Sequence, residues 1–187
     1  LKAFLYGTLV VVPVGLIESP FTDIISNPPN LTILLLVTIG VVGVVEEVAK
    51  FAVIRYTIFN YSEFDEIMDG IIYSIAAGLG FAAVENLLYA FVFGFKVGVV
   101  RAIITSLIHA SLSGIMGYYL GKAKIEKDSS AITIGLTQVI LLHGVYDFLI
   151  ISNLVSNYFV IGMVVAFYLY LGKLINQAVE SSPFKNK

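Results

Sequence analysis

The chain has 187 residues, of which 58% are hydrophobic and 13% charged, with a mean hydropathy of +0.94. A soluble domain runs nearer half apolar and a quarter charged, and a chain this short cannot hide the excess in one core, so lipid is the main solvent and a sizeable soluble domain is excluded. A net charge of −2 leaves no basic footprint for nucleic acid, and the lack of cysteine removes disulfides, thiolate metal sites and cysteine nucleophiles together.

Six apolar runs, at about 3–17, 31–58, 71–93, 97–121, 131–151 and 158–178, approach the ~20 residues that cross a bilayer. The fold class expected is an all-α, polytopic bundle of six transmembrane helices enclosing a polar intramembrane cavity. It forms one domain over 1–178, followed by a polar tail over 179–187. The first run is short and contains Pro13, which suggests a kinked or truncated helix. ESPFTDIISNPPN (18–30) reads as a loop, YSEFDEIMDG (61–70) as an acidic, amphipathic surface stretch, and GKAKIEKDSS (121–130) as a polar linker. Because the chain starts at Leu1, nothing about a preceding leader is read from it.

Cations accumulate in cytoplasmic loops. With the N-terminus inside, Lys2, Lys50, Arg55, Lys122, Lys124, Lys127, Lys173, Lys185 and Lys187 gather on the cytoplasmic side, against Lys96 and Arg101 outside. Both termini are therefore expected in the cytoplasm. No internal repeat supports an inverted-repeat transporter.

The informative residues are the ionisable groups inside the spans, each costing ~2.5–3.5 kcal/mol at a helix centre. Span two carries Glu46, Glu47 and Lys50, span three Glu85 beside Asn86, span four His109, and span five His143 and Asp147. Both histidines of the chain lie roughly 18 Å into their spans by the ~1.5 Å rise per residue. Helical spacing puts Lys50 within reach of either glutamate, His143 near Asp147, and Phe81, Glu85 and Tyr89 on one stripe. Glycines 40, 43, 78, 80, 114, 117 and 144 would allow close helix approach around such a site.

Each group has a plain structural reading too: a local ion pair for Glu-Glu-Lys, an interhelical clip for Glu85-Asn86, a satisfied helix contact for each histidine. Thr105, Ser106 and Ser113 read as small packing residues. The joint occurrence on four successive spans favours chemistry. Carboxyls and imidazoles in a low-dielectric chamber are the parts that activate water, with one of Glu46 and Glu47 as general base or acid. Imidazoles with a carboxylate also suit a zinc-like ion with an open position for water.

These residues resemble the PrsW-type intramembrane proteases, within the superfamily that includes the glutamate-dependent CAAX prenyl proteases and the Abi proteins. The likeness lies in E-E-V-A-K at 46–50, F-A-A-V-E-N-L-L-Y at 81–89, His109, and H-G-V-Y-D at 143–147, in order on successive spans. The resemblance implies an endopeptidase that hydrolyses membrane-anchored proteins within a prokaryotic cell membrane. Glu46 would be the base, Glu47 the partner of Lys50, and His109 a holder of water or metal. His143 with Asp147 would complete a metal site or stabilise the oxyanion, with Glu85 and Asn86 supporting. In a metal-bound version His109, His143 and one of Glu85 or Asp147 ligate Zn2+ or another divalent ion. In a metal-free version the water lies between Glu46 and His109. The CAAX branch has EExxxR, a Phe where this chain has Thr105, and Asn where it has Asp147. These departures argue against prenylated substrates and for regulators of the anti-sigma-factor kind. The competing readings are a proton- or cation-coupled transporter or channel, and a non-catalytic membrane scaffold.

Overall fold

The computed structural model describes residues 1–185, so Lys187, counted among the cations above, lies outside the described residues. Every regular element among them is helical. Helix α1 (Lys2–Glu18) contains Pro13 and continues through it; a 3-10 turn (Ser19–Phe21) and α2 (Thr22–Ser26) follow. Then come α3 (Leu31–Val37), a π-helical turn (Thr38–Gly43) and α4 (Val44–Thr57). Four long helices complete the chain: α5 (Ile67–Phe93), α6 (Phe95–Ile125), α7 (Ser130–Ile151) and α8 (Asn157–Ser181). Six stretches, Lys2–Ser26, Leu31–Thr57 and the four long helices, are long and apolar enough to cross a membrane. The protein is an integral membrane protein.

Three expectations change. The segment 18–30 is not a loop throughout. Pro20 sits at the start of the 3-10 turn, where its missing N–H costs nothing, and helical winding lasts to Ser26. Non-helical backbone is confined to 27–30, ending at Asn30, whose side chain accepts the Ile33 N–H at 2.9 Å and so caps α3. The linker at 121–130 shrinks to 126–129, because α6 continues to Ile125. There Asp128 accepts from the Ser130 N–H at 3.1 Å, and the Ser130 hydroxyl holds its carboxyl below the usual range. The acidic stretch does structural work: Glu66 and Asp69 form a reciprocal capping box that starts α5, while Phe64 and Ile67 are buried in the core.

Short connections return each span antiparallel to the last. Helices α5 and α6 form the most extensively packed pair and are the most buried spans; α1 and α8 are the most lipid-exposed. Ile54, Phe64, Ile71, Leu112, Ile115, Leu120 and Val139 fill the interior. The many exposed apolar side chains, such as Leu9, Leu16, Phe91 and Leu169, lie on spans and meet acyl chains instead of water. Helix α8 runs past residue 178 to Ser181, and the Ser182 hydroxyl is hydrogen-bonded to Glu66.

Candidate active site

Two close backbone approaches bring the polar residues together. A Cβ on Gly43 would lie 2.7 Å from the Ile140 carbonyl oxygen, and one on Gly144 would lie 2.5 Å from Ile39 Cα. Helix α7 therefore rests directly on the π-helical turn, a winding often found next to functional sites. Glu46 and Glu47 stand one turn beyond Gly43, and His143 adjoins Gly144, so this contact sets their separation. On the other side, a Cβ on Gly78 would lie 2.8 Å from the His109 carbonyl oxygen. That fixes α5 against α6 two turns before Glu85. Gly40, expected to serve the same purpose, faces open space.

Lys50 is the hub. Its ammonium donates to Glu47 Oε1 at 2.6 Å, to Glu46 Oε2 at 3.2 Å and to His109 Nδ1 at 3.0 Å, and lies 4.8 Å from the centre of the Phe81 ring. Glu46, Glu47, Lys50, His109 and His143 are all at most 5% exposed. Burying such charges is costly, and the cost is offset only when their hydrogen-bonding capacity is met. The expected local reach of Lys50 to either carboxylate is realised for both at once.

The hydrogen bonds fix the histidine protons. An ammonium can only donate, so His109 Nδ1 accepts and its proton sits on Nε2, where it is donated to Glu85 Oε2 at 2.9 Å. Glu85 Oε1 accepts from Arg101 Nη2 at 2.8 Å, and the Arg101 guanidinium lies 3.5 Å over the Tyr89 ring. His143 Nδ1 donates to Glu47 Oε1 at 2.7 Å, leaving Nε2 towards Asp147 Oδ2 at 3.4 Å and Glu46 Oε2 at 3.8 Å. The two imidazoles are edge-to-face, 5.5 Å between centres. Asn86 donates to the Ser106 hydroxyl at 3.2 Å, which is the interhelical clip anticipated for it and gives Ser106 a polar role.

A cavity of about 300 Å³ opens beside this network, room for about ten waters. Glu46, Glu85, His109, His143, Asp147 and Tyr89 line it, whereas Glu47 and Lys50 stand behind its wall. The Glu-Glu pair is thereby divided. Glu46 presents its carboxylate to the cavity, and Glu47 joins Lys50 to His143. The cavity lies towards the bundle end that carries the α1–α2, α5–α6 and α7–α8 connections, since Glu18, Tyr89, Arg101 and Ile151 all line it.

Ligand atoms of Glu46, Glu47 and His109 lie within 4.8 Å of one another, so this buried group could hold a metal ion. Two carboxylates and an imidazole are a donor set suited to a zinc-like ion. The same three residues are the acceptors for Lys50. An ion there would therefore exchange with the ammonium. His109 and His143 with one of Glu85 or Asp147, the set expected from the resemblance, are not gathered in that way among the described residues; Glu85 takes the far side of His109 and is shared with Arg101, and Asp147 stands by His143.

Two cavity residues were missed in the sequence. Glu18, assigned above to a loop, extends the buried stripe Ala3, Gly7, Val11 and Val14 of α1, whose helical spacing was the available signal. Arg101, counted only as an outer cation, stands four and eight residues before Thr105 and His109 on the same face of α6. Thr105 lines the cavity as well, beyond its expected packing role.

Comparison with known proteins converges on one family. The profile of the PrsW family intramembrane metalloproteases matches residues 1–172. Protease PrsW of Geobacillus kaustophilus is 34% identical over 157 residues, covering 82% of this chain and 67% of the relative. Protease PrsW of Oceanobacillus iheyensis is 34% identical over 152 residues, covering 80% and 69%. Protease PrsW of Bacillus subtilis is 39% identical over 111 residues, covering 58% and 51%. No solved structure matches the chain.

Proposed function

From its membership of the PrsW family, to which this chain belongs as an intramembrane protease, we propose that the enzyme cleaves membrane-anchored proteins with a water activated by Glu46. The division of the glutamate pair carries this reading: Glu46 faces the cavity, while Glu47 is held behind it by Lys50 and His143. The Glu46 carboxylate accepts a proton from water in the cavity as the water oxygen bonds to the scissile carbonyl carbon. His143 Nε2 is on the cavity side, and with the imidazole protonated its N–H is the donor available to the developing oxyanion. Glu46 then returns the proton to the departing nitrogen as the C–N bond breaks.

The remaining residues position these two. Glu47 fixes the ring plane of His143, and Glu85 fixes the tautomer and the ring plane of His109. Asp147 Oδ2, 3.4 Å from His143 Nε2, holds that edge of the ring. Lys50 bridges the two neighbouring carboxylates, at 3.2 Å from Glu46 and 2.6 Å from Glu47. A divalent metal of the kind the family description implies would be held by Glu46, Glu47 and His109 in place of the Lys50 ammonium, and would supply Lewis-acid polarisation of water.

The cation distribution supports cytoplasmic termini, which would turn the cavity towards the outer leaflet of a prokaryotic cell membrane. The substrate is a membrane-anchored regulator of the anti-sigma-factor kind. Family membership and the missing repeats disfavour the transporter and scaffold readings. The test is reconstitution of purified protein in liposomes with a panel of single-span peptides, fragments being read by mass spectrometry and ion flux in parallel. Cleavage without flux is expected. Flux without cleavage of any peptide would overturn the reading.

A further inference from the structure

Glu18 is the cavity carboxylate that the chemistry above leaves unused. The other three each have a protein partner: Glu46 has Lys50, Glu85 has Arg101 and His109, and Asp147 has His143. Glu18 makes no hydrogen bond and no ion pair among the described residues, and its Oε1 is buried. On α6, Arg101 shows the complementary feature: its Nη2 is committed to Glu85, while its Nε–H is buried without an acceptor. Buried polar groups are nearly always paired. The cavity wall thus holds a spare acceptor on α1 and a spare donor on α6.

A substrate span hides its peptide bonds in its own helical hydrogen bonds. Attack on one of them requires a local unwinding that frees N–H and C=O groups, and in lipid such groups must find partners. We propose that Glu18 and Arg101 are those partners. Glu18 accepts a freed backbone N–H next to the scissile bond, and the Arg101 Nε–H donates to a freed carbonyl oxygen. The cavity then holds the substrate as an extended segment between α1 and α6, with its scissile carbonyl before Glu46. Neither residue transfers a proton in the reaction; both bind backbone. This inference rests on the protease reading above and adds to it a means of recognising unwound backbone irrespective of side chain.

The test pairs enzyme and substrate changes. A single-span peptide that the wild type cleaves is resynthesised with one amide at a time, on either side of the scissile bond but not at it, replaced by an ester, which removes that N–H. Steady-state kinetics are then measured in liposomes for the wild type, Glu18→Ala and Glu18→Gln. One ester should raise the wild-type KM about tenfold, the scale of a hydrogen bond to a charged group, with kcat nearly unchanged. Glu18→Ala should raise KM for the all-amide peptide by a similar factor and show no further rise with that ester. Glu18→Gln retains an accepting oxygen and should fall between, and it carries the test if the Ala variant does not fold. Absence of coupling between Glu18 and every ester position, or a fall in kcat at constant KM, would overturn the role of Glu18. Failure of the wild type to cleave any peptide would instead overturn the protease reading itself.

Discussion

Replacing Lys50 by Met tests whether the ammonium is the hub of the site. The side chain keeps its length and apolar stem but leaves Glu46 and Glu47 as neighbouring buried carboxylates, previously 3.2 and 2.6 Å from Nζ, and leaves His109 Nδ1 without its donor. Removing one member of a buried charge pair costs ~3–5 kcal/mol, mainly the penalty of the unpaired charge. At ~2–4 °C per kcal/mol for a chain of this size, the melting midpoint should fall by roughly 6–20 °C. A second change, Glu47→Gln, removes one of the two orphaned charges while keeping an oxygen for His143 Nδ1–H. It should recover a large part of the loss. Melting is followed in detergent by circular dichroism with and without Zn2+. Without the ammonium, the atoms of Glu46, Glu47 and His109 face one another unopposed, so zinc should raise the midpoint of the Met variant by several degrees and leave the wild type within about one. A Met variant that melts with the wild type would refute the hub. Equal zinc stabilisation of both proteins would show that Lys50 does not compete with metal.

Other substitutions separate packing from chemistry. Gly144→Ala forces a methyl to within 2.5 Å of Ile39 Cα, so α7 must shift; peptide cleavage should fall at least tenfold and the melting midpoint should drop. Gly40→Ala points into open space and should leave both unchanged or slightly improve stability, by up to ~1 kcal/mol. Glu85→Gln keeps an oxygen for His109 Nε2–H but loses the charge paired with Arg101, and should lower kcat about tenfold. Glu85→Leu leaves both partners unpaired and should cost about tenfold more, read in the same liposome assay.

What was legible in the sequence follows from what helical spacing can express. Six spans were visible because lipid demands continuous apolar runs, and their ends were blurred where turns continue the winding, as at Ser19–Ser26. Lys50 with Glu46 and Glu47, and His143 with Asp147, were within reach because both partners share one helix. The contacts that cross between helices were not: Glu47 with His143 and Lys50 with His109 depend on how closely α4, α6 and α7 pack. The packing of α4 against α7 depends on a π-helical turn that no residue pattern announces. Helical spacing alone left Glu46 and Glu47 interchangeable, since adjacent residues differ only in the direction each faces; the resemblance distinguished them, and Glu46 is the one that lines the cavity. Glu18 was lost for a different reason: it opens the segment 18–30 that reads as a loop, although Pro20 at the start of a turn is compatible with continued helix.

The mechanism depends above all on Glu46 as the base that activates water in the cavity. Single-turnover cleavage of a single-span peptide by Glu46→Gln in liposomes measures this most directly, because the amide keeps the volume and the Lys50 contact but cannot take a proton. The rate should be lower by about 10²–10⁴-fold, with melting close to that of the wild type. A Gln variant that cleaves within a few-fold of the wild type would contradict it.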